Sequence, residues 1–187
     1  MLEIKNLQKI YTGDVLALDD VSFTVEPGEF LAVIGLSGSG KSTLLRCINR
    51  LIEPTAGQII WNGMDITQAS QDEMLRIRRK IGMVFQHFNL VSRSKVITNV
   101  LAGRLGYVNP FMSIANRFPQ KDIDMALAQL ERVGITDQAY KRADELSGGQ
   151  QQRVGIARAM VQEPEMILAD EPVASLDPVL AHSIMSY

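Results

Sequence analysis

Residues 35–42 read Gly35-Leu36-Ser37-Gly38-Ser39-Gly40-Lys41-Ser42, a glycine-rich run closed by a lysine and a hydroxyl. The spacing G-x-x-x-x-G-K-[ST] suits the holding of a triphosphate. Backbone N–H groups must converge on phosphate oxygens, and glycines permit the tight turn and the close approach. A helix starting at Lys41 would add the partial positive charge of its N-terminus. Lys41 would bring a full charge to the β- and γ-phosphates, and the Ser42 hydroxyl is a hard oxygen donor for Mg2+. The expected contacts are Gly35, Ser37, Gly38, Ser39, Gly40, Lys41, Ser42 and Thr43. A Gly/Ser-rich turn ahead of a helix is the bland alternative, but such a turn requires neither the lysine nor a preceding apolar strand.

A second pattern is Met166-Ile167-Leu168-Ala169-Asp170-Glu171, an apolar run that ends in two acids. Asp170 at a strand end would hold Mg2+ through water. Glu171 would polarise the attacking water as general base. Solvated acids commonly end strands, so this pair gains its meaning from the phosphate loop in the same chain.

These residues need elements to position them. Leu2–Ile4, Ser22–Val25, Phe30–Ile34, Gln58–Trp61 and Ile81–Phe85 read as strands, separated by turn signals such as Glu26-Pro27-Gly28-Glu29 and Asn62-Gly63. Phe30–Ile34 and Met166–Ala169 are apolar without alternation, the pattern of parallel strands buried on both faces. Helices are expected over Lys41–Leu51, Asp122–Val133 and Gly148–Gln162. In Asp122–Val133 the residues Ile123, Ala126, Leu127, Leu130 and Val133 fall on one face. From about His87 to Val161 no strand is visible, so this stretch reads as a helical insert in an α/β core. Gly103–Pro119 is irregular and rich in Gly, Asn, Pro and aromatics.

The 187 residues suit one domain, and an apolar fraction of 46% supplies a sizeable core. A net charge of −2 argues against nucleic acid as the main partner, since phosphate-backbone binding needs a basic surface. The single cysteine, Cys47, reads as a small buried apolar residue. No apolar stretch approaches the ~20 residues of a membrane span, and the N-terminus lacks a signal-peptide pattern. A cytoplasmic location is expected, with any membrane contact made through a partner.

Leu146-Ser147-Gly148-Gly149-Gln150, followed by Gln151-Gln152-Arg153, resembles the signature of ABC transporter ATP-binding subunits. The resemblance covers essentially the whole chain. It implies an α/β P-loop NTPase core, with a mostly parallel sheet and an antiparallel β subdomain, plus an inserted helical subdomain. One domain would span 1–187, with 1–86 and 162–187 as the core and about 87–161 as the insert. The cofactors implied are ATP and Mg2+, the activity ATP hydrolysis coupled to transport. Lys41 and Glu171 are the implied catalytic groups, joined by Gln86, which matches a glutamine that contacts Mg2+ and water and relays to the membrane subunit. Ser42, Gln86 and Asp170 would form the metal set. Tyr11 matches the aromatic that stacks on adenine. Ser147, Gly148, Gly149 and Gln150 would close over the γ-phosphate held by a second copy, and Ser147 would also cap a helix. Asp177, in Ser175-Leu176-Asp177, matches a loop that crosses the dimer interface. His87 matches no role and reads as a surface or groove residue. Implied partners are a second copy, an integral membrane permease that docks near Gln86 and the helical insert, and an extracytoplasmic solute-binding protein. The protein would lie peripherally on the cytoplasmic side of the membrane.

Within the family, Phe85–Val91, Asn99–Gly106, the aromatic-rich Tyr107–Phe118 and Ile167–Pro178 are similar to phosphonate importer ATPases. Amino-acid and methionine importers, and soluble ABC ATPases outside transport, are the alternatives. The family's switch histidine lies on a strand after the Asp177 loop, and the sequence reaches Tyr187 before it. His182 follows Asp177 too soon, within an expected helix at Val179–Met185. The expectation is therefore a fold lacking its C-terminal strands, with residues 1–187 alone binding nucleotide weakly, hydrolysing it slowly if at all and tending to aggregate.

Overall fold

The computed structural model describes residues 1–114 and 117–170. Contacts divide the chain into two compact units, Met1–Ile77 and Arg78–Tyr187.

The first unit is built on an antiparallel sheet. Strand β1 (Leu2–Tyr11) pairs with β2 (Val15–Val25) on one side and with β3 (Ala56–Trp61) on the other. β4 (Met64–Asp65) extends the sheet beyond β3, giving the order β2-β1-β3-β4. Asn62-Gly63 makes the two-residue turn between β3 and β4, with φ of 49 and 81, the left-handed pair that such hairpins demand. Helix α1 (Lys41–Ile48) follows the glycine-rich loop. It stops three residues earlier than its apolar pattern predicts, because Arg50 turns left-handed (φ 47) and the Leu51 and Arg50 N–H groups close back onto the Arg46 and Cys47 carbonyls. Leu2, Ile4, Leu7, Leu18, Leu44, Cys47, Ile48, Ile59 and Trp61 are buried here. Each large apolar side chain so buried contributes about 1.5–3 kcal/mol. Helix α2 spans Gln71–Arg79.

In the second unit β5 (Ile81–Val84) and β6 (Met166–Ala169) form a parallel pair in register, Ile81 opposite Met166 and Val84 opposite Ala169. Between them lie α3 (Val96–Leu101), α4 (Pro110–Ile114), α5 (Gln120–Arg132) and α6 (Gly148–Met160), with short 3-10 turns at Ala102–Arg104, Thr136–Gln138 and Ala143–Glu145. No strand is assigned among the described residues of 87–161, apart from an isolated bridge between Lys95 and Arg142. The face expected on α5 is the one that packs: Ala126, Leu130 and Val133 are buried, and Ile123 and Leu127 lie against the same cluster. Val96 and Val100 of α3 and Val154, Ile156 and Ala157 of α6 complete it. Gly103–Pro119 is more regular than expected, since it holds the end of a 3-10 turn and α4.

One expected strand is corrected. Phe30–Ile34 carries no strand, and its side chains face solvent: Phe30 is 67% exposed and Ile34 92%. An apolar run becomes a strand only where neighbours complete its hydrogen-bond ladder. Among the described residues no strand runs beside it, and the parallel sheet consists of β5 and β6 alone.

Candidate functional site

In the first unit the glycine-rich loop leads into a helix that begins at Lys41. Gly40 occupies the cap position with φ 91, and its backbone presses on β2: a Cβ there would lie 2.3 Å from the Ala17 carbonyl oxygen. Gly38 is also left-handed (φ 81), but a Cβ on it would meet nothing within 4 Å, so packing does not demand glycine there. Lys41 Nζ donates to the Gly35 and Leu36 carbonyls at 2.8 Å each and so draws the loop around its own ammonium. The α1 N-terminus has no side-chain cap and no acidic residue in its first turn. Those features suit an anion, because a side-chain oxygen or carboxylate at that end would compete for the same N–H groups. Ser42 and Thr43 follow in the first turn, both half-buried.

Tyr11 ends β1, partly exposed, with its hydroxyl 3.3 Å from Thr43 Oγ1 and the Lys9 ammonium 5.2 Å from its ring centroid. The structure therefore brings the expected aromatic beside the helix that carries Lys41 and Ser42. Lys9 also donates to the Glu53 carbonyl at 2.7 Å, a contact with no local signal in the sequence because its partner is a distant main-chain oxygen.

In the second unit Gln86 and Asp170 lie at the C-terminal ends of neighbouring parallel strands. The Asp170 N–H donates to the Val84 carbonyl at 2.9 Å. Asp170 is 3% exposed, whereas Gln86 is exposed. Ligand sites of α/β sheets gather at this end of the strands. Within this unit Asp170 supplies a carboxylate, the hard oxygen chemistry that Mg2+ prefers. Glu171 and Asp177 lie outside the described residues.

Ser147 caps α6, accepting the Gln150 N–H at 3.3 Å, while Gln150 Oε1 accepts the Ser147 N–H at 3.0 Å. This reciprocal box gives Gln150 a local structural task beyond the one expected of it. Ser147 and Gly148 are exposed, and a Cβ on Gly148 would touch only Phe88 Cζ, at 3.8 Å. Packing within the chain therefore does not demand glycine at 148. A groove of about 400 Å³ lies alongside, lined by Gln86, His87, Phe88, Asp144 and Gln151 among others. His87 is thus a groove residue, as expected. Cys47 is fully buried, and burial pushes its thiol up to about 11, leaving it inert at neutral pH.

A family profile described as ABC transporter matches residues 18–174. The phosphonates import ATP-binding protein PhnC 1 of Halalkalibacterium halodurans is 56% identical over 99% of this chain and 72% of its own length. PhnC of Nitratidesulfovibrio vulgaris is 55% identical over 98% of this chain and 69% of its own. Among solved structures, the dimeric ATP-binding cassette MJ0796 in a post-hydrolysis state with ADP and Pi matches with a TM-score of 0.88 at 36% identity, over 100% of this chain and 80% of that one. A nucleotide-free cassette from an ABC transporter matches with a TM-score of 0.80 at 32% identity, over 98% of this chain and 74% of that one.

Proposed function

Because the chain belongs to the ABC transporter family, we propose that it is the ATP-hydrolysing subunit of an importer whose solute is a phosphonate. The observation that carries the reading is the α1 N-terminus, which has no side-chain cap and no acid in its first turn, follows the glycine loop and begins at Lys41. The loop's amides and the Lys41 ammonium bind the β- and γ-phosphates, and Tyr11 offers its exposed ring to the base. Ser42, Asp170 and Gln86 would hold Mg2+, which would supply positive charge to offset that of the phosphate oxygens. Glu171 accepts the proton of the attacking water, and Gln86 orients that water.

The subunit acts as a homodimer in which Ser147–Gln150 of one copy face the triphosphate bound by the other, and Asp177 lies at that contact. Residues 87–161 act as the helical subdomain, with 1–86 and 162–187 as the nucleotide-binding core. The groove beside Gln86 takes a helix of a membrane permease, and an extracytoplasmic binding protein delivers solute to that permease. Among the described residues no helix is long and apolar enough to cross a membrane. In this reading the chain sits on the cytoplasmic face through its permease.

The test is calorimetric titration of the purified protein with MgATP, beside phosphate release. Wild-type protein should bind and turn over nucleotide, whereas Glu171→Gln should bind and fail to turn over. Absence of binding by the wild type at millimolar MgATP refutes the reading. Uptake of a labelled phosphonate by cells carrying the transporter, competed by other phosphonates and not by amino acids, tests the solute.

A further inference from the structure

Helix α6 carries Arg158 near its C-terminal end. Its Nη1 donates to the Asn89 carbonyl at 2.7 Å and its Nη2 to the Phe88 carbonyl at 2.9 Å. These carbonyls belong to the segment that starts at Gln86 and lines the groove. Asn89 is left-handed (φ 48), and that turn presents two successive carbonyls to one guanidinium. Phe88 lies along the same helix: its ring is 3.8 Å from where a Cβ of Gly148 would stand, and its carbonyl oxygen 3.9 Å from that of Gly155. The groove segment is thus fastened to α6 at Arg158 and rests on it as far as Gly148, beside the Ser147–Gln150 box. Both acceptors are neutral, and burial lowers the basicity of the guanidinium. Such a bond is made for its geometry, a planar fork across two carbonyls that a lysine ammonium does not reproduce.

We propose that Arg158 is a positioning residue for ATP hydrolysis, binding the Gln86–Asn89 segment to α6 so that Gln86 and Ser147–Gln150 move as one body. The inference rests on the ATPase reading above. A helix pressed into the groove would then shift the γ-phosphate contacts of α6 together with Gln86, through two hydrogen bonds and the half-buried Phe88 ring.

The test is a double-mutant cycle on the purified protein, with Arg158→Met and Gln86→Ala, singly and together. Steady-state ATP turnover is measured and normalised to folded protein by circular dichroism. Arg158→Met should lower kcat about tenfold, near 1.4 kcal/mol of barrier, and change KM for MgATP less than about twofold, because the phosphate loop is untouched. The double variant should be no slower than the slower single variant, as expected of residues that act as a unit. Should Arg158→Met fail to fold, Arg158→Lys, which keeps the charge and one bond, takes its place in the cycle. Multiplicative losses overturn the proposal. So does a variant that melts earlier but keeps wild-type kcat per folded molecule. If the wild-type protein turns over no MgATP, the ATPase reading falls and this role falls with it; an active wild type with multiplicative variants sinks the Arg158 role alone.

Discussion

Gly38 and Gly40 stand two residues apart in one loop, and both are left-handed, yet the structure assigns their Ala variants different losses. At Gly38 a methyl group enters open space, so the cost is that of the left-handed backbone alone, about 1–2 kcal/mol. At Gly40 the same cost applies, and the methyl carbon would also stand 2.3 Å from the Ala17 carbonyl oxygen and 3.2 Å from Leu18 Cδ2. The backbone must yield by roughly an ångström, which adds about 1–3 kcal/mol, as in other overpacked sites. Gly40→Ala should therefore lose about 3 kcal/mol or more and Gly38→Ala about 1. With a slope of about 2 kcal/mol per molar urea, the unfolding midpoint falls by about 1.5 M for Gly40→Ala and about 0.5 M for Gly38→Ala. Urea titration followed by circular dichroism, on both variants and the wild type, reads this directly. Equal midpoints for the two variants would refute the placement of Gly40 against β2.

Replacing Lys41 by Ala removes a cation and the tether to two loop carbonyls, so MgATP affinity should fall at least about tenfold by calorimetry, by loss of charge-assisted bonds. Arg104 and Asp122 form a buried pair at 2.9 Å, with the guanidinium 4.1 Å from the Tyr107 ring centroid. Arg104→Ala leaves a buried carboxylate and should cost about 3–5 kcal/mol, seen as a lower melting temperature. The Cys47 thiol has its pKa raised from 9.0 to about 11 by burial. Its contribution is fully present below pH 9 and is lost as pH rises towards 11, because the unfolded chain releases this proton first; about 3 kcal/mol is at stake across that window. Denaturation curves at pH 8 and pH 10.5, compared with Cys47→Ala, isolate the thiol's contribution.

The glycine-rich loop that leads into α1 is legible in the sequence because its pattern is local: glycines and a lysine within eight residues. Asn62-Gly63 and the α5 face are legible for the same reason, since turn type and helical spacing are short-range properties. Phe30–Ile34 is misread because composition reports what a segment would bury, whereas strand formation depends on partners far along the chain. The outer parts of β1 and β2 are missed for the converse reason. Lys5–Tyr11 and Val15–Val21 mix polar and apolar residues irregularly, and shifts in register between Ile4 and Ile10 break the alternation that would mark them. Arg158 leaves no trace at all, because its partners are main-chain carbonyls about seventy residues away and any residue can supply a carbonyl.

The two helix starts, α1 bare and α6 capped by its own Ser147 and Gln150, have a consequence for the order of assembly. A negative ligand at α1 displaces no side-chain cap, although Lys41 must turn to it from the Gly35 and Leu36 carbonyls. One that draws on the Ser147 hydroxyl at α6 must outcompete an internal bond worth about 1 kcal/mol, roughly a fivefold handicap. Docking would then proceed in sequence: the nucleotide settles first on the unguarded end, and the guarded end joins only when an added phosphate outweighs what it must release.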